Sequence, residues 1–107
     1  ITTKSPEPTL LWIACFFGHV QMIQVLLDMD FDIDSVFYIG GRVLGTPLLA
    51  AASSGKIDAV RMLTDRGVDI NLACSHMGTA LEVAQSLGRT EVANFLSKLG
   101  ATESGSG

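Results

Sequence analysis

The stretch TPLLAAASSGKIDAVRMLTDRGVDIN, residues 46–71, decides the fold of this chain. It opens with a threonine, whose hydroxyl can accept an early amide hydrogen of a helix. A proline follows at the first helical position, where a missing N–H costs nothing. Gly55 then ends a short helix, and Ile57, Val60 and Leu63 place apolar side chains on one face of a second helix. The stretch therefore predicts a pair of short helices, the first of them capped by its opening threonine.

The same unit occurs three times in the chain. Moving residues 46–71 back by 37 aligns them with residues 9–34, and moving residues 46–68 forward by 33 aligns them with residues 79–101. The shared positions are a threonine, a leucine, an alanine, a glycine and a second leucine: Thr9, Leu11, Ala14, Gly18 and Leu26; Thr46, Leu48, Ala51, Gly55 and Leu63; Thr79, Leu81, Ala84, Gly88 and Leu96. A repeat that keeps its register over nearly the whole chain predicts a solenoid, in which each unit packs against its neighbours.

These units resemble the ankyrin repeat, in which a "TPLHxAA" first helix, a glycine, a second helix and a "GADVN" segment follow one another. Residues 46–71 match this pattern closely, residues 79–101 lack the trailing segment, and residues 9–34 depart from it more. The resemblance implies an all-α fold, an ankyrin-repeat solenoid of three helix-turn-helix units with β-hairpin-like fingers between repeats. It implies a repeat domain at 8–101, with repeats at about 8–41, 42–74 and 75–101, an N-terminal linker or remnant at 1–7 and a flexible tail at 102–107.

The chain departs from the family pattern in three ways. The histidine of the first helix is replaced by Trp12, Leu49 and Glu82, so the threonine–histidine hydrogen bond typical of the family cannot form. The first copy has Leu10 where the family has proline. The spacing between the first two copies is four residues longer than the next spacing, and the excess lies in SVFYIGGRVLG, residues 35–45. This excess predicts a lengthened hairpin finger.

Residues 28–34, DMDFDID, place an aspartate at every second position and raise the possibility of a calcium loop. Such a loop needs a glycine at its sixth position and a glutamate at its twelfth, and a count from either Asp28 or Asp30 finds neither. The repeat alignment instead places Asp30 opposite the helix-ending Gly67 and Gly100. We therefore predict a positive φ at Asp30 and interpret the stretch as the joint between the first helix pair and the finger.

Composition excludes several classes of protein. Hydrophobic residues make up 48% of the chain and charged residues 17%, which argues against disorder over most of its length. The net charge is −4, and the seven lysines and arginines are scattered, so neither a nucleic acid nor a membrane surface is an expected partner. The longest apolar run, Leu10–Phe17, is far shorter than the roughly 20 residues that a membrane span needs.

The two cysteines do not make a disulfide framework, and the chain has no signal peptide at its start. These features predict an intracellular, cytoplasmic domain. The chain begins at Ile1 rather than at a methionine, as a fragment or a processed piece would.

Cys15, His19, Cys74 and His76 have the composition of a zinc-binding set. The repeat places the two pairs in different units, although all ligands of a zinc ion must lie within about 2.0–2.3 Å of it. Cys15 and His19 also lack a third residue to orient the histidine for nucleophilic catalysis. The glycines of residues 38–45 lack the lysine and the helix entry of a phosphate-binding loop. The sequence therefore predicts no enzymatic activity, no metal site and no cofactor.

Members of the ankyrin family bind other proteins through the finger tips and the exposed side of the first helices. Aromatic residues and arginine are enriched at such sites because they bury a large area for little lost side-chain entropy. The resemblance predicts these partner-binding residues: Trp12, Phe16, Phe17, Phe37, Tyr38, Arg42, Ser53, Ser54, His76, Met77 and Leu87. The alternative for the finger is that Phe37 or Ile39 folds back and covers Phe17 as an accessory core.

The expected function is a non-catalytic protein–protein interaction module, which presents an aromatic concave face and an extended finger to another protein. The rival is an assembly module, because Ile13 and its aromatic neighbours make the outer end of the first copy apolar. Such a module would form a homo-oligomer or dock on a neighbouring domain of a larger enzymatic or signalling chain. A small-molecule pocket under the finger is a third alternative.

Overall fold

The computed structural model describes residues 9–72 and 78–100, apart from the side chains of Thr9 and Ile39. These residues contain three helix pairs and one hairpin. The elements are α1 (Thr9–Phe17), α2 (Val20–Asp28), β1 (Phe37–Ile39), β2 (Arg42–Gly45), α3 (Pro47–Ser54), α4 (Ile57–Asp65), α5 (Ala80–Ser86) and α6 (Thr90–Lys98). The first helices contact one another in the order α1, α3, α5, and the second helices in the order α2, α4, α6. The predicted repeat solenoid is therefore confirmed.

The predicted linker at 1–7 and the predicted tail at 102–107 lie outside the described residues. Within the residues that are described, none of the helices is long and apolar enough to cross a membrane.

Threonine caps begin two of the three first helices. Thr46 has an extended backbone, and its Oγ1 accepts the amide of Leu49 at 3.3 Å. Thr79 has the same conformation and accepts the amide of Glu82 at 3.3 Å. Helix α1 already includes Thr9, so the prediction that Thr9 precedes its helix as a cap is corrected.

The second helix of each pair ends on a left-handed residue. Gly67 and Gly100 have φ values of 87° and 93°, and Asp30 has a φ of 70° at the equivalent position. Asp30 is the one non-glycine residue with positive φ in the described part of the chain. The predicted positive φ at Asp30 is confirmed, and aspartate suits this position because its short polar side chain tolerates it better than most.

The other aspartates near the end of α2 bind groups of the protein itself. Asp28 forms an ion pair with Arg66 of the next repeat. Asp32 Oδ1 accepts the amide of Asp34 at 3.0 Å, and Asp34 Oδ1 accepts the amide of Asp69 at 3.0 Å. The contacts of Asp28 with Arg66 and of Asp34 with Asp69 connect the first repeat to the second.

The core runs through the middle of the stack. Leu11, Ile23, Leu63 and Leu96 are fully buried, one or more in each repeat. Each such side chain contributes about 1.5–3 kcal/mol relative to exposure. The buried alanines at 50–52 keep α3 thin, so that α1 and α5 can both pack closely against it.

The finger between the first two repeats is an antiparallel hairpin in which Tyr38 pairs with Val43. Gly40 and Gly41 form its turn with φ values of 55° and 78°. A two-residue turn that matches the twist of its strands needs positive φ at both positions, which glycine adopts without strain. The lengthened finger predicted at residues 35–45 is confirmed.

Candidate functional site

A line of stacked aromatic rings runs along α1. Trp12 and Phe16 lie one helical turn apart, with their ring centroids 5.2 Å apart and their planes within 9°. Phe16 meets Phe17 edge-on, with a centroid distance of 5.2 Å. At the other end Phe37 of β1 packs on Trp12 at 5.3 Å. We call Phe37, Trp12, Phe16 and Phe17 the aromatic ridge.

The aromatic ridge is buried at the finger and exposed at the end of α1. Phe37 is only 5% exposed, Trp12 and Phe16 are half-buried, and Phe17 is 58% exposed. Phe17 is the last residue of α1, where the chain turns away, so no further turn of that helix covers its ring. Tyr38, on the hairpin, is also 58% exposed. The exposed end of the ridge and Tyr38 therefore offer aromatic surface to a partner.

The structure corrects the prediction that Phe37 contacts a partner. Successive residues of a strand point to opposite faces, and here Phe37 points inward while Tyr38 points outward. The finger thus packs on the first repeat through Phe37. The Phe37 ring contacts Trp12, whereas the alternative derived from the sequence had it cover Phe17. Phe37 is the buried end of the ridge and is removed from the candidate surface.

Two other predicted residues, Arg42 and Leu87, are exposed on other elements. Arg42 is exposed on β2 beside the hairpin turn, and Leu87 is exposed just after α5. His76 and Met77 lie outside the described residues.

Ser53 and Ser54, also predicted to contact a partner, are half-buried at the end of α3. Both hydroxyls donate to the carbonyl oxygen of Ala50, each at 3.0 Å. Their donors are therefore engaged within their own helix.

Trp12 occupies the position where the family pattern has histidine. Its indole Nε1 is buried and has no hydrogen-bond acceptor within the described residues. A buried unsatisfied donor costs roughly 1–3 kcal/mol. Aromatic pairs, which each contribute about 0.5–1.5 kcal/mol beyond their burial, offset this cost. The position of the ridge is therefore set by ring packing.

The cysteine and histidine of the first repeat do not form a reactive pair. Cys15 is buried in the core, and burial raises the pKa of its thiol to about 12. It therefore stays protonated at neutral pH, and the thiol is a poor nucleophile. His19 lies on the exposed side beyond Phe17, with their ring centroids 6.3 Å apart. Cys74, the other cysteine, lies outside the described residues, which contain no group of three or more side chains suited to a metal ion.

A second exposed apolar surface lies on the first repeat; the sequence indicated its α1 part through Ile13, but the part on α2 was not predicted. Met22 and Val25 of α2 are exposed, and Leu10 and Ile13 of α1 are exposed with them. We call these four residues the N-terminal face. The sequence carried a partial signal for it, because the residues aligned with Met22 in the other copies, an alanine and a valine, are also apolar.

A comparison with protein families finds the same architecture. The family model described as "Ankyrin repeats (3 copies)" matches residues 2–74 and 37–104. The two matches together span nearly the whole chain.

Comparison with individual proteins agrees. The chain is 35% identical over 95 residues to the human "Ankyrin repeat and KH domain-containing protein 1", a match that covers 87% of this chain and 4% of that protein. It is 36% identical over 90 residues to the Drosophila melanogaster "Ankyrin repeat and KH domain-containing protein mask", covering 82% of this chain and 2% of that one. It is 30% identical over 88 residues to the human "Ankyrin repeat and SOCS box protein 11", covering 82% and 26%. The chain therefore spans a small part of each of these relatives.

Proposed function

Since the chain belongs to the ankyrin repeat family, whose members are general protein–protein interaction modules, we propose that it binds a protein partner through Tyr38 and the exposed end of the aromatic ridge. The partner is another protein or a neighbouring domain of the same parent chain. The family is a non-catalytic module, and we extend that property to this chain. The protonated, buried thiol of Cys15 supports the extension and suits an intracellular, cytoplasmic location.

The observation that carries the proposal is the exposed ring of Phe17. Burying a phenylalanine side chain removes about 200 Å² from water, and apolar burial stabilises by about 25 cal/mol per Å². Covering the 58% of Phe17 that is exposed would therefore contribute roughly 3 kcal/mol to binding. A single residue with that effect is a binding hot spot.

The packing behind Phe17 also favours this surface over an isolated exposed residue. The ring of Phe16 touches Phe17 edge-on, Trp12 stacks on Phe16, and Phe37 packs on Trp12. A side chain held in this way loses little conformational freedom when a partner covers it, so less of the contact energy is spent on ordering. The ridge is thus preorganised.

The test is affinity capture from a lysate with the wild-type chain and two variants. The double variant Phe17→Ser, Tyr38→Ser removes the two exposed aromatic rings. The control Leu99→Ser removes an apolar side chain of similar exposure at the far end of α6. Circular dichroism confirms that all three proteins are folded before the comparison.

We expect the wild type and the Leu99→Ser control to recover the same proteins, and the double variant to lose at least one of them. Equal recovery by all three proteins would show that the ridge and Tyr38 are not the binding surface.

A further inference from the structure

The N-terminal face, Leu10, Ile13, Met22 and Val25, is the side of the first repeat that points away from the second. An open groove of about 710 Å³ lies along its second helix, between residue 18 and Val25. The four exposed apolar side chains come from both helices of the repeat. Such a continuous apolar face is unusual on a surface that stays in water.

The equivalent positions in the later repeats are buried or half-buried. Met22 is 45% exposed, while its counterparts Ala59 and Val92 are 0% and 1% exposed. Ile13 is exposed, while its counterpart Ala50 is buried. These counterparts lie on the helices that contact the preceding repeat, through the α1–α3, α2–α4, α3–α5 and α4–α6 contacts. The positions of the N-terminal face are thus the ones at which this solenoid stacks one repeat on another.

Val25 follows the same rule. Its counterparts Met62 and Phe95 pack against the core. The guanidinium of Arg61, from the preceding repeat, lies over the Phe95 ring at 5.5 Å from its centroid. At the N-terminal face Val25 is exposed, with no such cover from the described residues.

The residue just before each second helix is polar, and in the later repeats its side chain lies against the preceding repeat. Arg89 Nε donates to the carbonyl oxygen of Ser53, in the preceding repeat, at 2.9 Å. The Lys56 side chain lies so close to Gly18 of its preceding repeat that a Cβ there would be 3.0 Å from Lys56 Cδ. His19 is the counterpart of both cations and is exposed beside the groove. The first repeat therefore keeps a polar side chain where the later repeats use one to bridge the junction.

A crevice lies at each of the two junctions between repeats, and the groove corresponds to one side of such a crevice. Residues 55–59 and Gly18 line a crevice of about 200 Å³ at the first junction, and residues 89–92 line one of about 170 Å³ with Ser54 and Gly55 at the second. The groove at the N-terminal face is lined by the equivalent residues 18–22. It is larger because no helix of the described residues closes its far side.

The opposite end of the stack is different. Cys15 and Ala52 are buried where each repeat meets the next, but the equivalent residue of the third repeat is the exposed, polar Gln85. Terminal repeats that face water carry polar residues at such positions. At this position the third repeat therefore carries the polar residue of a cap, whereas the first repeat exposes apolar residues at its own outer positions.

We propose that the N-terminal face is a stacking site for one further helix pair of the ankyrin type, in the same orientation as the pairs already in the stack. The surface that fits it is the one that α3 and α4 present to the third repeat, with small residues on the first helix and a cation on the second. A second copy of this chain fits less well, because a stack in this orientation would place the polar end of the third repeat on the apolar groove.

The experiment adds such a pair. Residues 46–78 lead directly into Thr79, the counterpart of Thr9, so a second copy of residues 46–78 placed before Thr9 reproduces the junction that the chain already contains. Peroxide oxidation followed by mass spectrometry then compares Met22 with Met29 in the original chain and in the fusion. Met29 is the internal control, because its counterparts are exposed in the later repeats.

We expect Met22 to oxidise several-fold more slowly in the fusion than in the original chain, with Met29 unchanged, and a single unfolding transition at a higher urea midpoint. Adding Val25→Glu to the fusion should remove the protection of Met22. Equal oxidation of Met22 in a folded fusion and in the original chain would overturn the proposal.

Two measurements on the original chain keep the proposal testable if the fusion does not fold. Val25→Glu should leave the urea midpoint of the original chain unchanged, and a clear loss of stability would overturn the proposal by showing that this chain already covers the face. Sedimentation across a dilution series should give a monomer. A dimer that Val25→Glu abolishes would assign the face to a second copy and would also overturn the proposal.

Discussion

Asp30 occupies a backbone position that the two later repeats give to glycine. Its φ of 70° lies close to the 87° and 93° of Gly67 and Gly100. Left-handed backbone costs an ordinary L residue about 1–2 kcal/mol, and aspartate somewhat less. The identity of this residue is therefore set by conformation rather than by ligand binding.

Asp30→Gly should be neutral or should stabilise the protein by up to about 1 kcal/mol, because glycine adopts positive φ without strain. The control Gly67→Ala should destabilise it by about 1–2 kcal/mol, since a Cβ there meets nothing within 4 Å and only the backbone strain remains. Urea unfolding at neutral pH measures both. A clear loss of stability in Asp30→Gly would contradict the repeat alignment at this residue.

Cys15 shows what burial does to a titratable group. Its pKa is raised from 9.0 to about 12 by desolvation, so the unfolded chain loses this proton before the folded chain does. Between pH 9.0 and about pH 12 the native state therefore binds one more proton than the unfolded chain, and the free energy of unfolding falls as pH rises through that range. Below the unfolded pKa of 9.0 the contribution of the thiol is fully present.

The fall in stability with rising pH leads to a prediction for the variant Cys15→Ala in a Cys74→Ser background. The parent with Cys15 should lose stability between about pH 9 and pH 10.5 more steeply than the alanine variant, by on the order of 2 kcal/mol. Urea unfolding at the two pH values measures the difference, and the other alkaline titrations cancel between the two proteins. Parallel pH profiles would show that Cys15 is not buried as a neutral thiol.

At the scale of elements, helix α5 is started by a reciprocal pair of hydrogen bonds. Thr79 Oγ1 accepts the amide of Glu82, and Glu82 Oε1 accepts the amide of Thr79 at 3.0 Å. Both amides would otherwise lack a partner within the helix. Glu82 replaces the family histidine, so this cap takes the place of the threonine–histidine bond that the chain cannot form.

Glu82→Ala should therefore destabilise the protein by about 0.5–2 kcal/mol, the range for loss of a helix cap. Glu82→Gln is the matched control, because its amide oxygen can accept the same hydrogen bond, and it should stay within about 0.5 kcal/mol of the wild type. Thermal unfolding compares the three proteins. If the alanine and glutamine variants are equally unstable, charge rather than the cap explains the role of Glu82.

The sequence contains the capping box as a threonine followed three residues later by a glutamate, but the prediction considered only the histidine that is missing at this position. Caps, helix-ending residues and the hairpin turn could be predicted because they depend on a few neighbouring residues, such as Thr46, Gly55 and the pair Gly40 and Gly41. The start of α1 could not be predicted. The alignment with the later copies placed Thr9 just before the helix, whereas α1 includes Thr9.

At the scale of the whole molecule, the order and number of the stacked helix pairs could be predicted from the repeat alone, but the candidate site only in part. Which of Phe37 and Tyr38 faces inward depends on the position of the hairpin over Trp12, and alternation in a strand does not decide it. Exposure of Met22 and Val25 depends on what packs against α2, because the positions equivalent to Met22 are buried in the later repeats and those equivalent to Val25 are half-buried. Apolar residues are identifiable from sequence, whereas their neighbours across a junction are not.

The central claim is that the preorganised end of the aromatic ridge binds a protein partner. The measurement that tests it most directly is the dissociation constant of a captured partner for the wild type, Phe17→Ser and Leu99→Ser, taken by calorimetry in one buffer. We expect Phe17→Ser to weaken binding by at least about tenfold, equivalent to about 1.4 kcal/mol, and Leu99→Ser to leave it unchanged. Equal dissociation constants for the wild type and folded Phe17→Ser would contradict the claim.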